Sequence, residues 1–159
     1  MTSSWAVRLP LLLAGVLIST VFAERASAET AAEVAARWRL LGQWKPDCSS
    51  PTSRANTVFN FVARDGKLYQ DRDMGDWQDS SLVMEATVQP DGSIELTTVL
   101  GGAAGTRTTV LRMQDEAHFL VWSNRAAGTQ PYTIKDGRFA NGSNVRPLLM
   151  RCGAEEKLS

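Results

Sequence analysis

The chain has 159 residues, with 17 basic and 17 acidic side chains and one histidine, so its formal charge at neutral pH is zero. That length suits one domain of ordinary size, able to bury a core without help from metals. Near-neutrality and the lack of any basic block remove the electrostatic case for nucleic acid or an anionic membrane surface as partner.

The chain opens on Arg8 and an apolar run over residues 9–22 without an ionised side chain, followed by Ala26-Ser27-Ala28. A positive start, an apolar middle and a small-residue site are the layout of a secretory signal peptide. The run is about 14 residues, short of the roughly 20 that span a bilayer. The expectation is cleavage before Glu29, with Ala23 as a second acceptable site. Residues 1–28 then form the signal, residues 29–159 form one domain, and no stable membrane anchor remains after cleavage.

Residues 30–41 carry the one helical pattern. Ala31, Val34, Ala35, Trp38 and Leu41 recur at spacings of three and four, and Thr30 with Glu33 makes a capping box. Residues 47–56, rich in Ser, Pro and Asn, form a loop. Short alternating runs follow at residues 56–64, 67–71, 82–89, 94–100, 106–113, 118–124, 132–135, 138–140 and 145–152. Between them lie the turn pairs Asp65-Gly66, Asp91-Gly92, Asp136-Gly137 and Asn141-Gly142. The fold class is therefore mostly β: an antiparallel meander of about eight strands, closed or curled into a barrel, with one N-terminal helix.

Catalytic constellations are not legible. His118 stands alone in a strand, and no nucleophile elbow, zinc-binding helix or nucleotide-binding loop is present. The 101–105 stretch lacks the lysine of a phosphate loop and precedes a strand. Paired-carboxylate hydrolysis stays open, since separations in space are not readable. The chain is nevertheless expected not to be an enzyme, and no cofactor is assigned. Asp71, Asp73, Asp76 and Asp79 cluster around Gly75, but Arg72 lies among them and the spacing is not that of a calcium loop, so no metal is assigned. Asn141-Gly142-Ser143 fits a glycosylation site and equally a plain turn, the reading favoured here.

The two cysteines, Cys48 and Cys152, are most simply a disulfide in an oxidising compartment. One alternating set per strand should be buried: Phe59, Phe61, Leu82, Met84, Ile94, Leu96, Val110, Phe119 and Val121. From Thr106 onward the opposite register is an equal alternative, because Leu111, Met113, Leu120 and Trp122 are apolar too. Aromatic residues in a small barrel either fill it or line a pocket.

Gly42-Gln43-Trp44, directly after the helix, resembles the G-x-W motif on the first strand of lipocalins and related calycin barrels. The resemblance implies that Trp44 closes one end of a barrel and that an arginine of the last run, Arg146 or Arg151, packs across it. The helix, the meander and a terminal disulfide accord with it. The export signal and the 44–48 stretch are similar to those of small exported bacterial proteins, which implies a periplasmic or secreted address. The implied function is binding or transport of a small apolar or amphipathic molecule by Trp44, Phe59, Phe61, Met84, Leu96, Phe119 and Val121. The rival expectation is a solid-cored interaction module, an inhibitor or accessory subunit for an envelope protein partner, with Trp77 as its exposed anchor.

Overall fold

A computed structural model describes residues 28–100, 105–127 and 131–153. The expected signal segment, save Ala28, and the glycine-rich stretch 101–104 lie outside these residues. Helix α1 (Ala31–Arg37) leads into β1 (Gly42–Lys45), β2 (Val58–Arg64), β3 (Lys67–Asp73), β4 (Gln78–Val88) and β5 (Ile94–Val99). Then come β6 (Thr106–Met113), β7 (His118–Ala126), β8 (Tyr132–Lys135), β9 (Arg138–Phe139) and β10 (Leu148–Cys152). Each strand from β1 to β8 pairs antiparallel with the next, while β10 pairs with both β1 and β7. That double pairing closes an eight-stranded barrel from β1–β7 and β10, with β8 and β9 as an added hairpin beside β7. Closure removes the exposed edges that a curled sheet would leave.

The helix is shorter than its apolar spacing suggests. Its N-terminus is the capping box, Glu33 N–H donating to Thr30 Oγ1 at 3.3 Å and Thr30 N–H to Glu33 Oε2 at 2.8 Å. It stops at Trp38 because Arg39 turns left-handed, at φ 58°. That turn sends Leu40, fully buried, back under the helix. Helix α1 lies against β3 and β4, and Ala32, Val34 and Ala35 join Leu40, Trp44, Phe61, Leu68 and Ile94 in one apolar cluster. Trp38 Nε1–H donates to the Gly92 carbonyl at 2.9 Å, tying the helix end to the β4–β5 turn.

Two bulges decide which side chains enter the barrel, and the first corrects the sequence expectation. In β4, Val83 pairs with Thr98 but Glu85 pairs with Thr97, so Met84 is an extra residue. A bulge reverses the parity of a strand. Val83 thus points inward at 2 % exposure, Met84 stands outside at 57 % exposure, and inward facing resumes at Ala86 and Val88. Leu82 likewise belongs to the outer face. In β7, Leu111 pairs with Val121 and Val110 with Ser123, so Trp122 is the extra residue. Phe119 and Val121 face inward before that bulge and Asn124 after it. On β6 the inward set is Arg107, Thr109 and Leu111, which places Val110 on the outside and answers the register left open after Thr106. Leu120 and Trp122, on the outer face, are covered by the β8–β9 turn at Gly137.

Cys48 and Cys152 are joined, with Cα atoms 5.6 Å apart across a separation of 104 residues. The bridge ties the loop after β1 to the end of β10. A disulfide is consistent with an oxidising environment. Among the described residues no helix is long and apolar enough to cross a membrane.

Candidate functional site

The end of the barrel nearest α1 is solid. Trp44 is at 0 % exposure, its Nε1–H donates to the Leu40 carbonyl at 2.7 Å, and its ring centre is 4.5 Å from that of Phe119. The Arg151 guanidinium also packs on this ring, 4.3 Å from its centre. It is fixed there by Nη1–H donating to the Leu41 carbonyl at 2.7 Å and Nη2–H to the Arg39 carbonyl. Burial and the neighbouring Arg39 charge both lower the Arg151 pKa. Gly42 adopts φ +118°, where a Cβ would stand 3.1 Å from Arg151 Nη1. Glycine is needed there on both counts. Of the two arginines named from sequence, Arg151 packs across Trp44, and Arg146 lies in the exposed stretch before β10.

Above this plug the barrel is hollow. A cavity of about 290 Å³ has Phe61, Leu96, Leu111, Phe119 and Leu149 at its base and Phe59, Val121 and Ile134 along one side. That volume stands at the lower end of the range of small-molecule sites, roughly 300–1,000 Å³. Toward the mouth the lining turns polar: Gln70 and Arg72 on β3, Thr98 on β5, Arg107 and Thr109 on β6, Asn124 on β7 and Thr133 on β8. The register explains the layering. Successive inward positions on β5 run Ile94, Leu96, Thr98, while those on β3 run Leu68, Gln70, Arg72. Both strands thus turn from apolar to polar toward the mouth, with Leu100 following Thr98 in the lining.

Two arginines reach this mouth in different states. Arg72 is bound to Asp79, Nε–H donating to Oδ1 at 2.8 Å and Nη2–H to Oδ2, and its guanidinium lies 5.5 Å from the Trp77 ring centre. Among the described residues Arg107 meets only neutral oxygens, Asn124 Oδ1 and Thr133 Oγ1 (3.3 Å), both through Nη1. Asn124 is held in turn, its Nδ2–H donating to Thr109 Oγ1 at 2.8 Å while its Oδ1 accepts the Thr133 hydroxyl at 2.7 Å.

A second pocket of about 280 Å³ lies against the outside of the barrel, walled by Pro46, Ala55, Phe139, Val145 and Pro147. It shares Phe59, Val121, Ile134 and Leu149 with the interior cavity. These residues stand near the point where β7 passes from pairing with β10 to pairing with β8.

Of the residues expected from sequence to contact a ligand, Phe59, Phe61, Leu96, Phe119 and Val121 line the cavity together. Trp44 lies beneath it as the plug, and Met84 is on the outer face, removed from the site by the β4 bulge. Sequence reasoning missed the polar mouth, because it searched each alternating run for apolar side chains only. The signal was present: Arg107, Thr109 and Leu111 share one parity.

The other candidates resolve into local contacts. Asp71 pairs with Arg64 at 2.8 Å, Asp76 with Arg54 at 3.1 Å and Asp79 with Arg72, while Asp73 accepts the Gly75 N–H at 2.8 Å. The acidic stretch is therefore laid out along β3 and β4 with arginine partners. His118 Nδ1 meets Asp115 at 2.8 Å across the β6–β7 turn, and hydrogen bonds from the Ala117 N–H and His118 hold the Asp115 carboxyl below the ordinary range. Asn56 organises the 47–56 loop, its Nδ2 donating to the carbonyls of Asp47, Ser50 and Pro51 at 2.9, 3.0 and 3.1 Å. Trp77 stands at 46 % exposure in the β3–β4 turn.

No protein-family model, curated protein or solved structure matches this chain. The cavity's own chemistry therefore carries the functional argument.

Proposed function

We propose that this protein is an exported, lipocalin-like binding protein or carrier for a small apolar or amphipathic molecule, working in the periplasm or outside the cell. The observation that carries the reading is the 290 Å³ interior cavity, apolar at its base and polar at its mouth, above the Trp44–Arg151 plug. Small-molecule sites combine an apolar body with a few placed polar groups. The Cys48–Cys152 bridge and the expected signal peptide support the address. The calycin resemblance supports the architecture through Arg151, which takes the role that the resemblance implied.

A second reading, an interaction module for an envelope protein, draws on Trp77, which is exposed on a turn at the mouth. The cavity favours the carrier, because a module that works through its surface has no use for a hollow interior.

The test is native mass spectrometry of the protein purified from its own host. A defined excess mass that is lost on denaturation supports the carrier, and extraction then identifies the ligand. An apo mass, together with no binding of any amphiphile by titration, overturns it in favour of the interaction module.

A further inference from the structure

We propose that the cavity takes an amphiphile bearing one carboxylate, and that the Nε/Nη2 edge of Arg107 receives that carboxylate. The inference rests on the carrier reading above and adds the chemical class of the ligand.

The barrel itself supplies the comparison. Two arginines reach the mouth of one cavity, Arg72 from β3 and Arg107 from β6. The Nε/Nη2 edge of Arg72 is filled by both oxygens of Asp79. This is the parallel two-bond arrangement in which a guanidinium matches a carboxylate best. Among the described residues Arg107 has no acidic partner, and its Nε and Nη2 make no hydrogen bond to any of them. Its Nη1 is spent on Asn124 and Thr133, which fix the head of the side chain against β7 and β8. What remains is a positioned fork whose partners among the described residues are neutral. A half-buried cation left so is costly unless a partner of opposite sign completes it.

The surroundings agree with a ligand supplying that charge. Below the fork the lining is Phe59, Phe61, Val121 and Phe119, which suits an aliphatic or aromatic body and gives nothing to a second charge. A singly charged head with an apolar body fits this polarity gradient, and a polyanion does not.

The test uses decanoate and decanol as probes, titrated by calorimetry into the mature protein and its variants. Decanoate is expected to bind roughly tenfold or more tightly than decanol, the ratio that hydrogen bonds to a charged group give. Arg107→Gln should remove that preference while the variant still binds decanol and melts cooperatively, which shows that it is folded. Arg107→Lys should keep only part of it, and full retention would overturn the two-bond geometry. The paired variant Arg72→Gln with Asp79→Asn removes the other arginine without leaving a lone charge, and should keep the preference. Equal binding of the two probes to the wild-type protein overturns the carboxylate assignment and leaves the carrier standing. Binding of neither overturns both.

Discussion

Replacing Trp44 by alanine tests the arrangement on which the cavity stands. The ring is at 0 % exposure, packed against Phe119 and the Arg151 guanidinium, and its N–H is the partner of the Leu40 carbonyl. Truncating a buried tryptophan costs about 3–5 kcal/mol through lost transfer energy and the space left behind. Leaving the Leu40 carbonyl unpaired adds about 1 kcal/mol or more. Against a total stability of roughly 5–15 kcal/mol, that is a large fraction. At roughly 4 °C per kcal/mol for a domain of this size, the melting temperature should fall by about 16–24 °C. The change is measured by thermal and urea denaturation of the oxidised protein, followed by circular dichroism. Trp44→Phe, which keeps most of the ring and loses the N–H, should cost about 1–3 kcal/mol. A double-mutant cycle with Arg151→Met isolates the stacking, expected at about 0.5–2 kcal/mol. A Trp44→Ala protein that melts within about 5 °C of the parent would refute the plug and, with it, the closed end of the barrel.

Leu96→Ala should cost about 2–5 kcal/mol, whereas Met84→Ala should stay within about 0.5 kcal/mol; equal losses in chemical denaturation would refute the β4 bulge. Gly42→Ala must hold φ at +118° and shift the Arg151 guanidinium slightly, so a loss of about 1–3 kcal/mol is expected from the melting curve. A neutral result there would refute the backbone strain assigned to this position. Replacing both cysteines by serine should lower stability by at most about 4–5 kcal/mol, the closure entropy of a loop of this length, and thiol titration of the unfolded parent should find none free. The Asp47 carboxyl, held down to about 2 from its ordinary 3.8 by hydrogen bonds from Ser50 and then Ser49, gives the 47–56 loop a pH dependence. Because the folded value is the lower one, its stabilisation is complete above about pH 4 and is lost as the pH falls toward 2. Ser50→Ala should move the Asp47 carboxyl titration, followed by NMR, up toward the ordinary value; an unmoved midpoint would refute the assignment.

Local chemistry determined the secondary structure of this protein. The Thr30–Glu33 box starts the helix, and Asp-Gly pairs turn the hairpins because Asp65, Gly66, Asp136 and Gly137 all take positive φ, which those residue types tolerate. Alternation placed Phe59, Phe61, Leu96, Phe119 and Val121 correctly, since each lies on a strand segment without an intervening bulge. Where a bulge intervenes, the alternation fails. Met84 and Trp122 are single extra residues, and nothing in the sequence distinguishes an inserted residue from a regular one, because the insertion is defined only against the partner strand. The same limit hid the polar mouth. Arg72, Arg107 and Asn124 come from three strands and share a site only because the barrel closes through β7 and β10. The ion pairs that occupy Arg72, and the neutral contacts that leave the fork of Arg107 open, depend on which side chains meet across the interior. Periodicity along the chain determined which strands exist and most of what they bury. Closure and two inserted residues, visible only in three dimensions, decided what the barrel holds.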